Sequence, residues 1–457
     1  MTEQRVDVAI LGGGSAGYAA ALRAAELGKS VVLVERDKVG GTCLHRGCVP
    51  TKAMLHAAEL ADAGRDAADA GIRLSFDGVD AAALASYRDR IVARKHTGLQ
   101  SLLKARAITT VSGEGRLEAG PAIRVGDDLY VADAVVLATG AVTRTLPGVP
   151  LGGRILGSES ALALDRIPER VVVLGGGVIG VEFASMWRSL GAEVTIVEAL
   201  DHLVPAEDIV LSKGLERAFR KRGIELRLGA RVASVTETGE SVRVTLEDGA
   251  ELEGDTVLVA VGRGPATAGL GLEEVGVAVE DGFVVTDDRL RTNVRGVWAA
   301  GDIVRGPQLA HRGFQHGIQI AEQIAGLDPV PVPDTLVPRI AYSHPEVASV
   351  GLTEERARAE YGADAVRAVE YNLAGNARSE ILGTSGTVKV VRRVDGPVVG
   401  VHLIGDRVGE LITEGQLAIG WEAHPEDIAP FVHAHPTQSE ALGEAFLALA
   451  GKPLHQL

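Results

Sequence analysis

The only two cysteines of the 457-residue chain lie five positions apart, in a segment that could carry redox chemistry. Cys43 and Cys48 fall within GGTCLHRGCVPTKAML, residues 40–55. Two thiols this close can cycle between a dithiol and a disulfide. A zinc site is not indicated, because two cysteines supply only part of a ligand set and no nearby Cys-x-x-Cys or His pair completes it. The pair therefore predicts redox chemistry without a metal.

The residues that follow Cys48 predict a helix with this thiol at its N-terminus. Pro50 suits the first turn of a helix, and TKAMLHAAELADAG, residues 51–64, continues at helical period. The positive end of a helix dipole favours a thiolate, so we expect the helix to stabilise a thiolate at Cys48. Cys43 is expected in the loop before the helix. Three neighbouring side chains add positive character: His45, Arg46 and Lys52.

An internal duplication supplies the larger elements around this pair. Residues 6–35, VDVAILGGGSAGYAAALRAAELGKSVVLVE, and residues 170–198, RVVVLGGGVIGVEFASMWRSLGAEVTIVE, share one pattern. Each has an apolar run, a glycine turn, a segment of helical period and a second apolar run that ends in Glu. Equivalent residues of the two copies are 163 positions apart. Two strand–helix–strand units of this kind predict two dinucleotide sites.

Each copy contains three glycines with separate tasks. The first allows a tight turn after the strand, the second lets the backbone approach a pyrophosphate, and the third lets the helix pack closely on the strand. The phosphates then lie at the positive end of the helix. The glycines are Gly12, Gly14 and Gly17 in the first copy and Gly175, Gly177 and Gly180 in the second.

The glutamate at the end of each copy predicts which nucleotide is bound. The carboxylates of Glu35 and Glu198 can accept hydrogen bonds from ribose hydroxyls but repel a 2′-phosphate. Glu198 is followed by ALDHL, which contains no arginine to pair with such a phosphate. The second site is therefore predicted to prefer NAD over NADP.

Three further apolar runs, residues 132–144, 255–267 and 294–306, are predicted as strands. The first two end in glycine turns at matching places after each nucleotide unit. The third ends at Asp302, whose carboxylate could hold a chain of sugar-like hydroxyls or could only cap a helix. From residue 337 onward, alternating strands and helices predict a separate antiparallel α+β domain.

Composition and charge exclude several classes of partner. The formal net charge of −15 argues against nucleic acid and anionic membranes. The first residues enter a strand without the pattern of a signal peptide. No uncharged apolar run of about 18 residues is present, so no membrane span is expected. These features favour a cytoplasmic protein.

The motif GGTCLHRGCVPTK resembles the redox-disulfide motif of the pyridine nucleotide–disulfide oxidoreductases, and the likeness covers essentially the whole chain. Three more segments resemble the branch of that family that oxidises dihydrolipoamide with NAD. These segments are GPQLAHRGFQHG (306–317), YSHPEVASVGLTEERA (342–357) and HAHPTQSEA (433–441). The resemblance implies that FAD and NAD are the cofactors.

The resemblance implies a role for each catalytic residue. Cys43 exchanges with the substrate and Cys48 is the sulfur next to FAD, while Lys52 lies near flavin N5 and pairs with Glu182. His435 is the acid–base that a dithiol needs near neutral pH. The remaining catalytic residue, Glu440, orients that imidazole; the competing choice for the base is His433.

The resemblance also implies how the cofactors are held. Glu35 binds the FAD ribose, Asp302 the ribityl chain, and Ala310 the flavin edge through its backbone. The full set of expected cofactor contacts is Gly12, Gly14, Ser15, Ala16, Gly17, Glu35, Arg36, Gly41, Thr42, Lys52, Gly115, Thr139, Gly140, Asp302, Leu309, Ala310, His311, Gly175, Gly177, Val178, Ile179, Gly180, Glu198, Val232, Gly262 and Arg263.

The expected fold is α/β, with two Rossmann-like dinucleotide-binding domains, for FAD and NAD, and a C-terminal α+β dimerisation domain. The expected segments are 1–145 (FAD-binding, with the redox disulfide), 146–265 (NAD-binding), 266–335 (completing the FAD domain) and 336–457 (interface). The resemblance implies a homodimer whose active sites are shared between subunits. Its expected partners are the lipoyl domains of 2-oxoacid dehydrogenase or glycine cleavage complexes.

Four alternatives remain open. Glutathione or mycothiol disulfide reductases use the same centre, but Glu198 and the lack of basic NADP ligands argue against them. Mercuric reductases usually add a C-terminal cysteine pair, which AFLALAGKPLHQL, residues 445–457, does not contain. Soluble transhydrogenases usually lack the disulfide. A non-catalytic flavoprotein is disfavoured because the cysteines and the HAHPTQSEA motif are all intact.

Overall fold

The computed structural model describes residues 3–456; Met1, Thr2 and Leu457, where the first and last predicted segments begin and end, lie outside the described residues. The chain forms two compact units. The first unit runs to Ala53 and adds residues 83–144 and 263–334. The second contains residues 54–82 and 145–262 and the chain from Thr335 onward. The four segments expected from the sequence, with boundaries at 145, 265 and 335, stay a prediction.

The strands are rich in Val, Ile, Leu and Ala, which suit the buried surface of a sheet. In chain order they are β1 (Glu3–Leu11), β2 (Val31–Glu35), β3 (Thr109–Ser112), β4 (Gly115–Glu118), β5 (Ala122–Val125), β6 (Asp128–Leu137), β7 (Ala141–Thr143), β8 (Ile155–Leu156), β9 (Arg170–Leu174), β10 (Glu193–Val197), β11 (Glu225–Arg227), β12 (Val232–Thr238), β13 (Ser241–Leu246), β14 (Glu251–Gly254), β15 (Thr256–Val259), β16 (Arg263–Pro265), β17 (Val279–Glu280), β18 (Phe283–Val284), β19 (Val297–Ala299), β20 (Arg339–Ala341), β21 (Glu346–Gly351), β22 (Val366–Asn372), β23 (Thr387–Arg393) and β24 (Val398–Gly405).

The helices alternate with the strands in the first part of the chain, as expected for an α/β fold. In chain order they are α1 (Ser15–Glu26), α2 (Gly41–Arg46), α3 (Cys48–Asp66), α4 (Ala81–Ala105), α5 (Ser158–Leu162), α6 (Val178–Leu190), α7 (Ile209–Lys221), α8 (Leu272–Val275), α9 (Ala310–Ile324), α10 (Glu354–Tyr361), α11 (Ala377–Ile381), α12 (Ile412–Gly420), α13 (Pro425–Ile428) and α14 (Glu440–Leu449).

A largely parallel sheet forms the core of the first unit, in the order β3–β2–β1–β6. The other edge of β6 pairs with antiparallel β5 over its first half and with parallel β19 over its second half. Because β1, β6 and β19 are parallel, their carboxyl ends meet at one edge of the sheet. Ligands of open α/β sheets bind at this edge, so the turns that follow these three strands are placed where a cofactor can be held.

The second unit contains a parallel sheet of the order β11–β10–β9–β15–β8. A three-stranded antiparallel sheet, β12–β13–β14, completes this nucleotide-binding region. The carboxyl ends of β9, β10 and β15 again share one edge, at which Gly175, Glu198 and Gly262 lie. The predicted duplication is therefore confirmed in the backbone.

The C-terminal part of the second unit is an antiparallel sheet of the order β20–β21–β24–β23–β22. Helix α14 packs against it with four fully buried side chains: Ala441, Leu442, Ala445 and Phe446. The predicted fold class, two α/β nucleotide-binding regions and a C-terminal α+β domain, is confirmed.

The third glycine of each copy is required by the packing of helix on strand. A Cβ atom at Gly17 would lie 1.8 Å from the carbonyl oxygen of Gly12, and one at Gly180 would lie 1.9 Å from that of Gly175. No side chain fits in that space. The first glycine also has no substitute, because the backbone of Gly12 and of Gly175 takes φ values of 105° and 109°.

We predict different costs for two alanines on the same turn. Gly180→Ala should lower the melting temperature by several degrees, because its Cβ overlaps backbone that cannot move aside. Gly177→Ala should leave the melting temperature within about 1–2 °C, since nothing lies within 4 Å of its Cβ, but should weaken NAD binding by blocking the pyrophosphate. Thermal unfolding and an NAD titration check both; equal melting temperatures would contradict the packing argument.

Candidate active site

The two cysteines lie on two consecutive helices. Cys48 is the first residue of α3, so its predicted place at a helix N-terminus is confirmed. The prediction that Cys43 lies in a loop is wrong, because it lies within the six-residue helix α2. A helix of one and a half turns is too short to leave a periodic pattern in the sequence. It is bounded by Gly40, in the left-handed region with φ 107°, and by Gly47.

Helix α2 is held against the first glycine turn by close backbone contact. The N–H of Gly40 donates to the carbonyl of Gly13 at 2.8 Å. A Cβ at Gly41 would lie 2.7 Å from the Cα of Gly14, so the two backbones meet with no room for a side chain. Helix α2, which carries Cys43, and the glycine turn predicted to bind the pyrophosphate are therefore held together at one edge of the first unit.

The surroundings of the cysteine pair change the pKa of the Cys43 thiol. A hydrogen bond with Cys48, followed by burial, raises the pKa of the Cys43 thiol, although Lys52 and Ser15 act in the opposite direction. In the reduced pair the Cys43 thiol therefore holds its proton more tightly than an ordinary cysteine. Cys48 lies at the positive end of α3, where a thiolate is favoured. Burial and then the charges of the two cysteines raise the pKa of Tyr18 to about 12, so its phenol is neutral at this site.

The predicted cofactor contacts divide between the two units. Those numbered below 145 or above 262 lie in the first unit and the rest in the second. Within the first unit they follow the sheet edge and the helix ends: the β1–α1 turn (12–17), the end of β2 (35–36), α2 (41–42), α3 (52), the start of β4 (115), the turn after β6 (139–140), β16 (263), the turn after β19 (302) and the start of α9 (309–311).

Glu35 closes the first nucleotide turn in the manner expected of a ribose ligand. Its carboxylate accepts hydrogen bonds from the N–H groups of Gly13 at 2.7 Å and Asp37 at 2.9 Å. Beyond it opens a cavity of about 550 Å³, walled by the C-terminal part of α4 and by β3. A glycine cradle, a carboxylate and an adjoining cavity of this size fit the adenosine half of FAD.

Asp302 lies in a single 3₁₀ turn, Gly301–Ile303, directly after β19. Burial raises its pKa, although Arg263 and Arg312 act in the opposite direction. The N–H of Gly301 donates to Nδ1 of His316 at 3.3 Å, and burial lowers the pKa of this imidazole to about 3. A neutral histidine thus accepts a hydrogen bond from the turn that presents the carboxylate. The turn fits a polar chain such as the ribityl group.

Helix α9 presents its N-terminus, from Ala310, at the same unit. It packs closely on α1, because a Cβ at Gly317 would lie 2.3 Å from the carbonyl oxygen of Ala16. Arg263 donates to the carbonyl of Ala141 at 2.7 Å and so belongs to the first unit. The chain thus presents two helix N-termini, those of α1 and α9, within one unit.

The second nucleotide turn repeats the geometry of the first. Glu198 accepts from the N–H groups of Gly176 at 2.6 Å and Leu200 at 2.8 Å, which matches the two contacts of Glu35. Val178, Ile179 and Gly180 form the first turn of α6, and Val232 begins β12. Glu182, one turn into α6, is buried and accepts from the N–H of Tyr342 at 2.9 Å. The pairing of Glu182 with Lys52 joins residues of different units and stays a prediction.

His435 and Glu440 form a hydrogen-bonded dyad in the second unit. Nδ1 of His435 lies 2.8 Å from Oε1 of Glu440. The pKa of Glu440 lies below its ordinary value. Partial burial raises this pKa, but the hydrogen bonds with the N–H of Thr437 and with His435 together lower it by more. The ionised carboxylate holds the proton on Nδ1 and leaves Nε2 as the acceptor. The imidazole is 72% exposed, so Nε2 can reach a substrate.

His433, the competing choice for the base, is largely buried and pairs with a different carboxylate. Its Nε2 pairs with Glu414 of α12 at 2.8 Å, and its side chain is only 16% exposed. A Cβ at Gly443 would lie 2.5 Å from its Nδ1, so the ring is packed against α14. Burial and pairing favour an anchoring role for His433. No pattern in the sequence signals the partner Glu414, which lies 19 positions earlier.

The site has two halves, the cysteine pair with its neighbouring cofactor turn and the His435–Glu440 dyad, which we call the half-sites. Each half-site lies in a part of the chain that matches a known family model. Residues 6–317 match pyridine nucleotide-disulphide oxidoreductases, and residues 337–446 match the dimerisation domain of that family. The chain belongs to the pyridine nucleotide-disulphide oxidoreductase family. As a member it is an oxidoreductase that works with FAD and NAD, and its C-terminal domain is a homodimerisation domain.

Individual relatives cover almost the whole of this oxidoreductase. Dihydrolipoyl dehydrogenase of Bacillus subtilis is 38% identical, over 98% of this chain and 99% of its own length. Leghemoglobin reductase of Vigna unguiculata is also 38% identical, over 98% of this chain and 88% of its own length. The structure of LpdA from Mycobacterium tuberculosis superposes with a TM-score of 0.91 at 31% identity, and covers 98% of this chain and 100% of that one.

Among residues 3–456, no helix is both long and apolar enough to cross a membrane.

We predict a pH-dependent contribution of the His433 anchor to stability. Its hydrogen bond with Glu414 is the largest factor that raises the pKa of His433 above the ordinary value near 6.5. The stabilisation is therefore complete below that ordinary value and is lost as the pH rises through the raised one. Glu414→Gln should melt about 1–2 °C below wild type at pH 6, and the gap should close by pH 9.

The control for this measurement is Glu422→Gln, which removes an exposed carboxylate just beyond the same helix. It should show no gap that depends on pH. A constant gap for Glu414→Gln from pH 6 to pH 9 would show that the pair does not stabilise the anchor through charge.

Proposed function

We propose that this oxidoreductase is a dihydrolipoyl dehydrogenase, which oxidises dihydrolipoamide to lipoamide and reduces NAD. The observation that carries the proposal is the presence of two half-sites in one chain: a cysteine pair at the start of α3, and an exposed imidazole, that of His435, whose Nδ1 is bound to Glu440 and whose Nε2 is open to solvent. The names of the relatives, at 38% identity over nearly the full chain, support this substrate.

The chemistry follows from the two half-sites. Nε2 of His435 takes the proton of one substrate thiol, and the resulting thiolate attacks Sγ of Cys43 in the Cys43–Cys48 disulfide. A mixed disulfide forms and Cys48 leaves as a thiolate. The second substrate thiol attacks the substrate sulfur of the mixed disulfide, closes the lipoamide ring and passes its proton to the departing Cys43. The substrate has lost two electrons, and one proton lies on His435 and one on Cys43.

Glu440 supports this proton transfer without touching the substrate. Its carboxylate fixes the tautomer of His435 and stabilises the imidazolium that forms. FAD, which the glycine turn of residues 12–17, Glu35 and Asp302 would hold, would supply a two-electron acceptor for the reduced cysteines and a hydride donor for NAD. Glu198, held at both oxygens by backbone N–H groups, favours a nucleotide with free ribose hydroxyls.

The complete site is proposed to form between two copies of the chain. The segment that carries His435 belongs to the region that matches the dimerisation domain. Large apolar side chains just before it are exposed, with Phe431 at 71% and Val432 at 96%, and Trp421 at the end of α12 is exposed as well. A second copy would cover this apolar surface, and His435 would enter the partner's cysteine site.

The proposed partners are lipoyl domains of 2-oxoacid dehydrogenase or glycine cleavage complexes, and the proposed location is the cytoplasm. A lipoyl group is carried at the end of a flexible arm, which suits a base that is open to solvent on one side. The second candidate is another NAD(P)H-dependent disulfide reductase of the same family, which the shared cysteine centre also supports.

A substrate panel is predicted to separate these candidates. Purified FAD-loaded protein should turn over dihydrolipoamide with NAD at least tenfold faster than it reduces glutathione disulfide with NADPH. NAD should also be preferred over NADP, because the carboxylate of Glu198 repels a 2′-phosphate. Faster turnover of glutathione disulfide, or equal use of the two nucleotides, would favour the second candidate.

We predict that activity is restored when two inactive variants are mixed as a dimer. Removing a positioned acid–base costs roughly 10²–10⁴-fold, so His435→Ala and Cys43→Ser should each be nearly inactive while FAD stays bound. In a mixed dimer with shared sites, one site carries both defects and the other is intact, so about half the activity should return. If each site were built within one chain, no activity would return, and the shared-site proposal would fail.

A further inference from the structure

The catalytic segment 433–440 is exposed at its tip and is held to the rest of the second unit at few points. The segment runs into α14, which bonds the backbone of Gln438 and Ser439; beyond α14, the described residues show two hydrogen bonds that tie the segment to other elements. One joins His433 to Glu414 at 2.8 Å. The other runs from the side-chain amide of Asn376 to the carbonyl oxygen of Thr437 at 2.9 Å. His435 therefore lies between two anchors, one on each side along the chain.

The Thr437 anchor reaches the dyad directly. The N–H of Thr437 donates to Oε2 of Glu440 at 2.7 Å, and Oε1 of the same carboxylate pairs with His435. The hydroxyl of Thr437 donates to the carbonyl of Ala434 at 2.6 Å. Residue 437 thus sets the direction of the carboxylate and closes the turn that presents the imidazole. Its own carbonyl is held by Asn376.

Both polar atoms of the Asn376 side chain, Oδ1 and Nδ2, make hydrogen bonds. It is buried, and its Oδ1 accepts from the N–H of Ser379 at 2.9 Å and from the Ser379 hydroxyl at 3.0 Å. These bonds cap the short helix α11 and fix the rotamer of the amide. Nδ2 is then directed at Thr437, 61 positions away in the chain. A pre-set donor of this kind holds its target with little loss of side-chain entropy.

We propose that Asn376 is a positioning residue for the His435–Glu440 dyad. The inference rests on the function proposed above for His435. Asn376 does not touch the reacting atoms; it acts through the Thr437 carbonyl, which holds the backbone whose N–H orients Glu440. Loss of the donor frees the Thr437–Gln438 peptide, and the preceding Pro436–Thr437 peptide, whose N–H holds Glu440, can then shift with it. A misplaced base lowers the rate of proton transfer even when the chemical groups are all present.

A charge-matched pair of variants isolates this role from helix capping. Asn376→Asp keeps Oδ1 for Ser379 but places a carboxylate oxygen, in place of the donor, against the Thr437 carbonyl. Asn372→Asp adds the same charge four positions earlier, where the side chain only accepts, from the N–H of Ala374 at 2.9 Å. Ser379→Ala removes one bond at Oδ1 and keeps the Nδ2 donor. His435→Ala serves as the reference for a lost base.

Two activities are measured on each FAD-loaded variant. The first is the oxidation of dihydrolipoamide by NAD, or the thiol–disulfide reaction that wild type performs fastest in the substrate panel. The second is the reduction of ferricyanide by NADH, which uses the nucleotide sites but needs no thiol proton transfer. Melting temperature and bound FAD are recorded as well, so that a variant that folds poorly is recognised.

Asn376→Asp should lower kcat of the thiol reaction about 10-fold, with KM within about twofold and with ferricyanide reduction unchanged. Asn372→Asp and Ser379→Ala should stay within about twofold of wild type in both activities. The inference is overturned if Asn376→Asp keeps full thiol activity, if it loses both activities together, or if Asn372→Asp is equally impaired. If His435→Ala itself keeps the thiol activity, the proposed role of His435 has failed, and the role of Asn376 fails with it.

Discussion

Two carbonyl oxygens, those of Gly12 and Gly175, occupy the space in which a side chain at residue 17 or 180 would stand. This close approach of helix to strand sets the position of both nucleotide turns. It brings the N-terminus of α1, and in the second copy that of α6, to the carboxyl edge of its sheet. A dinucleotide can then lie against backbone N–H groups and the positive end of a helix. The rest of each site is arranged around that edge.

The redox centre depends on a second close approach of the same kind. Gly41 meets Gly14 backbone to backbone, so the helix that carries Cys43 begins directly at the first nucleotide turn. The next helix begins with Cys48, so this sulfur lies at the positive end of a helix dipole, and the neighbouring Cys43 thiol has a raised pKa. Glycines at these contacts therefore align a cofactor turn with a sulfur pair, and no long side chain is needed to join them.

The acid–base half of the site depends on hydrogen bonds between side chains and backbone, whereas the redox half depends on close backbone contacts at glycines. His435 is mostly exposed, and its geometry depends on hydrogen bonds: a carboxylate at Nδ1, a backbone N–H on that carboxylate, and a buried amide behind that backbone. Such a relay keeps the imidazole open to a substrate while its tautomer is set. The apolar residues that precede it, Phe431 and Val432, fit a surface that a second copy covers.

The sequence alone could predict what local backbone geometry demands. The duplicated strand–helix–strand unit, its glycines and its terminal carboxylates are written in residue types at short spacing, because a tight turn or a close helix contact admits only glycine. The helix after Pro50 and the antiparallel C-terminal sheet can also be predicted from local sequence, since their periodicity and turn residues are visible within a few positions. Helix α2 is not predicted from the sequence, because six residues make fewer than two helical turns and so show no repeated spacing.

Tertiary structure decided what depends on partners distant in the chain. Two histidines stand two positions apart in HAHPTQSEA, and their types are identical. Only the fold turns His433 inward to Glu414 and leaves His435 exposed with Glu440. The same holds for Asn376, whose amide reaches the carbonyl of Thr437, 61 positions away in the chain. A side chain's donor finds its acceptor by packing, and no local pattern records which residue that will be.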